Sequence, residues 1–529
     1  MNFQSYAYGM NHWEADKDLQ HVLQLYWPGL NQHQQDLWDF GQLAGTEIYE
    51  TAYHIDHDAG PVLIMHDLDG KRVDRVRFSP AEKGLLKKLA FINRPPYEGG
   101  SWHHHFAYGY MLADPGLYCV LTITNQTAYA IHKYASDQVT WKEKLLSGEM
   151  YGATWMSENQ GGSDLGANET QAVNENGYWK LTGDKFFASG AGLTDVAITT
   201  ARPEGATAGP KGLALFLLPR EINQGELNFH VRRLKDKSAT RAVPSGEVEL
   251  NRSEAILIGK AEEGIYYTLE NLTVSRLANG IAAMGIAKKA HLEVLERVKR
   301  RHSFGHALID HPLIRRDLTE LAVRTAAGTA LAFHAVHAFD SAWTETPPYS
   351  ARYHYARFLS HLAKNRTAAH ASAVTALAME LFGGLGFMDE YAVARWHREA
   401  LITPIWEGPS NIQALDFLEA MQKKKAHESF LSDFLPTFEQ ENNRESQLAK
   451  NTVEQVLSQM GKYSPHEAQW YAKDALNQLA DAAQIGLLLR LAKTGGDRYY
   501  KLAKLYAIRF LQKEEFPSWA YDDPELWRG

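Results

Sequence analysis

The stretch GYWKLTGDKFFAS, residues 177–189, marks a change in the character of the chain. Before it, apolar residues recur every three or four positions, as in LWDFGQLAGTEIYETAYHI (37–55), which is the spacing of an amphipathic helix. Residues 177–189 and four similar runs that follow them, as far as residue 251, are short, alternating and rich in β-branched or aromatic residues between turn formers. The sequence therefore predicts a β-domain in the middle of the chain.

Helical periodicity returns after this β-domain and continues along the rest of the chain. The stretch 265–301 is long and Ala-rich, which is typical of helices that pack as a bundle. The order helical, β, helical is unlike the alternating pattern of a Rossmann fold, and the sequence has neither a GxGxxG after a strand nor a Walker A motif. We predict a multidomain α+β protein with five segments: an N-terminal extension (1–36), an N-terminal α-helical domain (37–150), a central antiparallel β-domain (151–260), a C-terminal four-helix-type bundle (261–425) and an extra C-terminal helical segment (426–529).

Composition limits the classes of function. The 529 residues carry a net charge of −8, so the protein as a whole does not attract nucleic acid or an anionic membrane surface. The single cysteine, Cys119, excludes an intrachain disulfide and fits a reducing compartment. No uninterrupted apolar run approaches 18 residues. These features predict a cytoplasmic protein without membrane insertion.

Five motifs combine glycines, hydroxyls or charges in ways that suit a binding site. They are WMSENQGGSDLGANET (155–170), GDKFFASGAG (183–192), RRHSFGHALIDHPLIRRDL (300–318), ELFGGLGFMDE (380–390) and ITPIWEGPSNIQ (402–413). Each motif also has an ordinary structural explanation. In the same order, these are a turn between domains, core aromatics, a basic helix end, close helix packing and a carboxylate at a helix N-terminus. In the last motif, Glu407 lies between Trp406 and Gly408 where one helical pattern has ended and another begins. A partly desolvated carboxylate there would be a good general base.

The order and spacing of these motifs resemble the acyl-CoA dehydrogenase family, strongly over residues 151–425. The segments NQGGSDL, RLKDK and IWEGPSN are most similar to those of the AidB-like branch, which is named for the adaptive alkylation-response flavoprotein. The resemblance implies a role in fatty acid metabolism, with FAD as the cofactor and an acyl-CoA as the substrate. The acyl thioester would be oxidised to its 2,3-enoyl form. It also implies a homotetramer or homodimer, because the active site is completed across a subunit boundary. It does not identify the electron acceptor.

The resemblance also assigns residues to roles. Glu407 matches the catalytic base that removes the α-proton. Arg276, Trp406 and Gly408 match substrate-side positions, although a packing or ion-pair role is an equal alternative for Arg276. The positions that match cofactor-binding residues are Met156, Ser157, Ser163, Phe187, Ser189, Arg301, Phe304, Gly383 and Gly384.

Two further signals are given less weight. The three histidines in 103–105 are not predicted to bind a metal, since adjacent histidines face different ways on a helix. His334, His337 and Asp340 have a helical spacing that could bind zinc, but they lie in an Ala-rich bundle helix, where a structural role is favoured. Residues 426–529 hold 12 Lys plus Arg and 15 Asp plus Glu, which disfavours phosphate binding. DNA binding stays a minority alternative, in which an AidB-like flavoprotein with little turnover binds DNA or another partner in alkylation-stress protection.

Overall fold

The computed structural model describes residues 5–528, so residues 1–4 of the predicted N-terminal extension and residue 529 lie outside the described residues. Packing divides the chain into two compact units. The helical unit comprises Met1–Tyr49, Ser101–Pro115 and Arg276–Gly529, and the sheet unit comprises Glu50–Gly100 and Gly116–Ser275. We retain the five-segment division of the sequence as a proposal.

Helices form most of the protein. The α-helices are α1 Lys17–Tyr26, α2 Gln34–Leu43, α3 Tyr49–His57, α4 Pro80–Leu89, α5 Trp102–Leu112, α6 Pro115–Tyr134, α7 Val139–Ser147, α8 Gly264–Arg300, α9 Pro312–Ala342, α10 Ala351–Phe382, α11 Ala392–Ala400, α12 Ser410–Lys424, α13 Ala426–Glu441, α14 Arg444–Met460, α15 Pro465–Gly495, α16 Asp497–Tyr506 and α17 Pro524–Arg528.

Strands concentrate in the middle of the chain, as predicted. They are β1 Val62–His66, β2 Arg72–Arg77, β3 Gly152–Trp155, β4 Gln171–Glu175, β5 Tyr178–Ser189, β6 Val196–Pro203, β7 Ala214–Pro219, β8 Glu221–Ile222, β9 Glu226–Leu227, β10 His230–Leu234, β11 Ser245–Leu257, β12 His302–Ser303 and β13 His306–Ala307.

A seven-stranded sheet forms the core of the sheet unit. Its order is β10-β11-β5-β4-β6-β3, and β7 pairs with both β11 and β6. Most pairs are antiparallel, as the sequence predicts, but β3 and β4 each pair with β6 in parallel. The runs of β6 and β7 are almost wholly buried and do not alternate, because these strands are covered on both faces.

The structure adds a β-hairpin to the segment 37–150, which the sequence predicts as an α-helical domain. Strands β1 and β2 pair antiparallel around the turn at Asp67 to Gly70. The Asp67 carboxylate accepts hydrogen bonds from the backbone N–H groups of Asp69 and Lys71, and Gly70 adopts a φ of 80°. The strands have only five and six residues, so their alternation is hard to separate from helical spacing.

The long helices α9 and α10 pack against each other in the helical unit, and α10 also packs against α12 and α15. Within residues 5–528, one segment, Ala351–Phe387, could cross a membrane by length and composition alone. Its packing against three other helices is that of a core helix.

The chain's first and last helices belong to the same unit. Helix α1 packs against α9 and α15, while α16 and α17 also pack against α9. The Asp18 carboxylate accepts hydrogen bonds from Arg498 at 2.5 Å, from the Tyr499 hydroxyl at 3.0 Å and from Lys288 at 3.3 Å. Residues 480 positions apart are thus joined in one buried ionic cluster.

Candidate active site

Glu407 lies in the short connection between α11 and α12. Its φ is 59° and that of Gly408 is 93°, so two successive residues adopt left-handed backbone conformations. Such a conformation is strained for a residue that has a Cβ, and it persists only where surrounding contacts hold it. Pro409, with a φ of −63°, then precedes the first residue of α12. The sequence IWEGPSN therefore produces a sharp turn that presents Glu407.

Three side chains hold the two carbonyl groups of this turn. The Glu407 carbonyl oxygen accepts hydrogen bonds from Arg276 Nε at 3.2 Å and from Gln413 Nε2 at 2.9 Å. The Gly408 carbonyl oxygen accepts from the same Gln413 nitrogen at 2.9 Å and from Lys364 Nζ at 2.7 Å. These donors come from α8, α10 and α12, so three helices fix the turn.

A second set of contacts holds these donors in place. Arg276 forms an ion pair with Asp416 at 2.8 Å, and both belong to the helical unit. The buried His361 donates from Nδ1 to the Gln413 side-chain oxygen at 2.9 Å. Burial lowers the pKa of His361 to about 3, so the imidazole is neutral near pH 7. The turn is therefore supported by a connected network of buried polar groups.

The charge of Glu407 is close to a buried amine. Lys364 is 1% exposed, and burial lowers its pKa to about 7, although the Glu407 carboxylate acts in the opposite direction. Glu407 itself is half-buried. The Glu407 carboxylate thus favours the charged form of a buried amine, and burial strengthens electrostatic interactions between such groups.

Trp406 is oriented by its own hydrogen bond. Its indole N–H donates to the Asn279 side-chain oxygen, and the Asn279 amide donates to the Thr403 carbonyl oxygen at 3.1 Å. The preceding Ile405 is 61% exposed. Ile405 and Trp406 are thus the apolar residues that directly precede Glu407 in this connection.

The sheet unit contains the predicted cofactor loop, residues 156–163. The Phe186 N–H donates to the Ser157 carbonyl oxygen at 3.0 Å, and the Asn168 amide donates to that of Met156 at 2.8 Å. A Cβ on Gly162 would lie 2.3 Å from the Ser157 hydroxyl oxygen, so a larger residue there would require the Ser157 side chain to move. Ser163 is exposed.

An ion pair beneath this loop was not singled out from the sequence. The buried Lys185 donates to Glu158 at 2.7 Å, and Glu158 also accepts from the N–H and hydroxyl of Thr170. Burial alone would raise the pKa of Glu158, but the Lys185 charge and these hydrogen bonds hold it below its ordinary value. The pair joins the loop to β5.

Phe187 and Ser189 lie at the end of β5. The Phe187 side chain is 59% exposed, whereas Ser189 is half-buried and its hydroxyl oxygen lies 3.2 Å from that of Ser245. The Trp155 indole donates to the Ser189 carbonyl oxygen at 2.9 Å, which joins β5 to the end of β3. Lys235 Nζ, from the motif RLKDK, lies 4.9 Å from the Phe187 ring centroid.

Phe304 lies in the two-residue turn of the hairpin formed by β12 and β13, and Arg301 directly precedes β12. Phe304 and Gly305 both have a positive φ, of 50° and 80°, as a tight primed turn requires. The Phe304 side chain is 91% exposed and Arg301 is also exposed. Both side chains are therefore available to a group outside this hairpin.

Gly383 and Gly384 end α10, and a Cβ on either would meet no atom within 4 Å. Arg297, near the end of α8, donates to the carbonyl oxygen of Phe382 at 3.0 Å. Because Arg297 lies one helical turn before Arg301, this contact brings the residues that lead into the Phe304 hairpin close to Gly383 and Gly384. Arg297 is a buried organising residue that the motifs did not indicate.

The histidines of α9 have structural partners. His334 lies 2.8 Å from Asp433 and 2.9 Å from the Tyr26 hydroxyl. Asp340 accepts a hydrogen bond from the Trp102 N–H at 2.7 Å, and His337 Nδ1 lies 3.3 Å from His103 Nε2. These side chains connect helices within the helical unit.

Comparison with known proteins identifies the fold. Residues 262–422 match the family model of the acyl-CoA dehydrogenase C-terminal domain, and residues 153–253 match that of its middle domain. Residues 2–151 match the N-terminal domain of the adaptive response protein AidB. The chain is 30% identical to AidB of Escherichia coli (strain K12) over 400 residues, which are 70% of this chain and 71% of that protein.

The chain belongs to the acyl-CoA dehydrogenase family. Its fold is similar to Caenorhabditis elegans ACDH-11, solved in complex with C11-CoA, with a TM-score of 0.85, 23% identity and coverage of 95% of this chain and 92% of that one. It is also similar to a Bacillus anthracis acyl-CoA dehydrogenase complexed with FAD, with a TM-score of 0.69, 17% identity and coverage of 99% and 89%. This acyl-CoA dehydrogenase-family protein is thus of the AidB-like type, and FAD is the cofactor of its family.

The residues present fit that cofactor. The hydroxyls of Ser157 and Ser189 and the exposed ring of Phe187 suit a planar, polar heteroaromatic group. Gly162 lacks a Cβ, which leaves space beside the Ser157 hydroxyl in this compact loop. In the helical unit, Arg301 offers a guanidinium for a pyrophosphate, and the open space at Gly383 and Gly384 permits close approach of a ligand to the backbone.

Proposed function

We propose that this protein oxidises an acyl-CoA thioester to its 2,3-enoyl form, with Glu407 as the base that removes the α-proton. The observation that carries the proposal is the left-handed turn at Glu407, held by donors from three helices. Strain of this kind is typical of functional sites, where the surrounding structure maintains it. A surface carboxylate at a helix end would need none of these contacts.

The residues of the turn can supply two functions at once. The half-buried carboxylate of Glu407 is proposed to accept the α-proton as a general base. The backbone N–H of Glu407 is proposed to donate to the thioester oxygen, where a donor contributes about 3 to 4 kcal/mol in comparable sites. FAD, when bound, supplies the acceptor for the hydride from the β-carbon.

Anaerobic titration with a panel of saturated acyl-CoAs tests this proposal. The FAD-loaded wild-type protein should lose flavin absorbance with at least one of them, and Glu407→Gln should lose this response while it keeps FAD. Glu428→Gln, at an exposed position in the first turn of α13, is the matched control and should respond like the wild type. Full loss of flavin absorbance when acyl-CoA is added to the Glu407→Gln variant would show that Glu407 is not the base.

The match to the AidB N-terminal domain favours a second proposal, a flavoprotein with little turnover that binds DNA or another partner in alkylation-stress protection. Contacts of the C-terminal segment argue against DNA. Five of the six cations in residues 487–509 have carboxylate partners, and Lys504 lies over the Trp519 ring. The pairs are Arg490 with Asp433, Lys493 with Glu441, Arg498 with Asp18, Lys501 with Asp523 and Arg509 with Glu320.

A mobility-shift titration separates the two functions. A salt-sensitive shift of duplex DNA, together with no bleaching by any acyl-CoA, would favour the second. We also propose a cytoplasmic homodimer or homotetramer. The 91% exposure of Phe304 supports assembly, because a second copy would cover this aromatic side chain, and the single cysteine fits a reducing compartment.

A further inference from the structure

Three metal-ligating side chains meet away from the Glu407 network. One ring nitrogen each of His33 and His104 and one carboxylate oxygen of Asp36 lie within 4.8 Å of one another. Within residues 5–528, this is the one place where three histidine, cysteine or acidic side chains meet in that way. The sequence indicated no metal here, because the histidines of 103–105 face different ways, but a second segment of the chain supplies the partners.

Two elements of the helical unit bring the three residues together. His33 immediately precedes α2, and Asp36 lies one turn later on the same face, where its Oδ2 is 3.0 Å from His33 Nδ1. His104 lies in the first turn of α5, which packs against α2. The His33 and His104 ring centroids are 4.3 Å apart. The site thus connects two segments about 70 residues apart.

The surroundings hold both imidazoles in place. The Trp27 indole stacks on His33, with ring centroids 5.2 Å apart and an interplanar angle of 13°. His104 Nε2 lies 2.6 Å from the Tyr108 hydroxyl oxygen, and His104 is 6% exposed. The side chains of His33 and Asp36 are 32% and 54% exposed. The group therefore has a rigid buried side and a side open to solvent.

We propose that His33, Asp36 and His104 bind a divalent transition-metal ion, with zinc as the best match. Two imidazoles and one carboxylate are ligands that zinc accepts, and three protein ligands leave a position for water or another donor. Donors of a tetrahedral zinc ion are about 3.3 Å apart, given bonds of about 2.0 Å. The 3.0 Å between His33 and Asp36 is close to that spacing, so a small movement of the exposed side chains accommodates the ion.

A histidine–carboxylate pair alone would be an ordinary surface contact. The pair of His54 and Asp58, 3.3 Å apart on α3, is of that kind and is more exposed. The His33 pair differs because a third ligand from another helix faces it. The expected consequence of metal binding is a cross-link between α5 and the start of α2, which stabilises the helical unit.

Equilibrium dialysis of chelator-treated, FAD-loaded protein against zinc chloride, with metal analysis, tests the proposal. The wild type should bind one more zinc ion per chain than either of the variants His33→Gln and Asp36→Asn. Both residues are partly exposed, so these variants should keep the fold, which circular dichroism checks. Asp58→Asn removes the comparison pair and should bind as much zinc as the wild type.

The melting temperature in zinc provides a second readout. Zinc should raise the melting temperature of the wild type and of Asp58→Asn, but not that of the His33 and Asp36 variants. Cobalt substituted for zinc should give the visible absorption of a four-coordinate ion in the wild type and in Asp58→Asn, but not in the His33 and Asp36 variants. Equal zinc binding by the wild type and both site variants would overturn the proposal, as would the absence of binding by the wild type.

Discussion

The amine of Lys364 donates a hydrogen bond across 2.7 Å to the carbonyl oxygen of Gly408, the residue that follows the proposed base. Lys364 is buried in α10, and Gly408 has a φ that L-residues rarely adopt. A donor in the core of the bundle thereby sets the direction of the turn that presents Glu407.

Replacement of Lys364 by Met should therefore impair catalysis. The Gly408 carbonyl oxygen would keep only the Gln413 donor, and loss of a buried hydrogen bond costs about 1 to 3 kcal/mol. We expect the rate of flavin reduction by acyl-CoA to fall about tenfold or more while FAD stays bound. Single-turnover absorbance measures this rate. The exposed Lys423→Met is the control, and a wild-type rate in Lys364→Met would contradict the prediction.

Arg276→Gln should distinguish a positioning role from contact with substrate. Arg276 is 3% exposed and donates to the Glu407 carbonyl oxygen while it pairs with Asp416. A positioning residue should lower kcat with little change in KM, because the substrate does not touch it. Steady-state kinetics with the best acyl-CoA provides both constants. A large rise in KM at unchanged kcat would instead support the substrate-binding role.

Glu158→Gln should destabilise the sheet unit and weaken FAD binding. It would leave the buried Lys185 without its charged partner, and breaking a buried pair from one side costs about 3 to 5 kcal/mol. The double variant with Lys185→Met should recover part of this loss, since no charge is then left unpaired. Thermal unfolding and FAD titration measure the two effects. Equal stability of wild type and Glu158→Gln would contradict the role of the pair.

Lys289 should make folding stability depend on pH. It is 3% exposed and its amine lies 4.2 Å from the Tyr49 ring centroid. Burial, the largest cause, lowers its pKa to about 7, well below the value of about 10.4 for an unfolded chain. Between these two values the unfolded state binds the extra proton, so the free energy of unfolding rises with pH.

The matched variant is Lys289→Met, which removes this group from the titration. Denaturant unfolding at pH 7, 8 and 9 should give a smaller increase in stability for the variant than for the wild type. The difference between the two proteins should be on the order of 1 kcal/mol per pH unit. Parallel stability curves would show that Lys289 does not titrate in this range.

The order of helical and β segments could be predicted because periodicity is a local property of the sequence. The short strands β1 and β2 were missed because runs of five or six residues carry too little periodicity. The parallel pairing of β3 and β4 with β6 depends on how the chain crosses the sheet, and no local pattern specifies it.

The sequence motifs indicated Glu407 and the loop at Ser157, but not the side chains that hold them in place. Lys364 lies in an Ala-rich helical stretch, where a lysine is usually solvated, and its burial follows only from packing. Lys185 and Glu158 are 27 residues apart, and nothing in the spacing predicts their ion pair. The same holds for His33 and His104, which only the contact between α2 and α5 brings together.

The contact between Asp18 and Arg498 has a consequence for biosynthesis. The cationic partner of Asp18 is translated 480 residues after it. At roughly 5 to 20 residues per second, that interval lasts about half a minute or longer, while the nascent helices lack their final neighbours. Chaperones that shield apolar helical faces should therefore associate with this polypeptide until residue 498 has been synthesised.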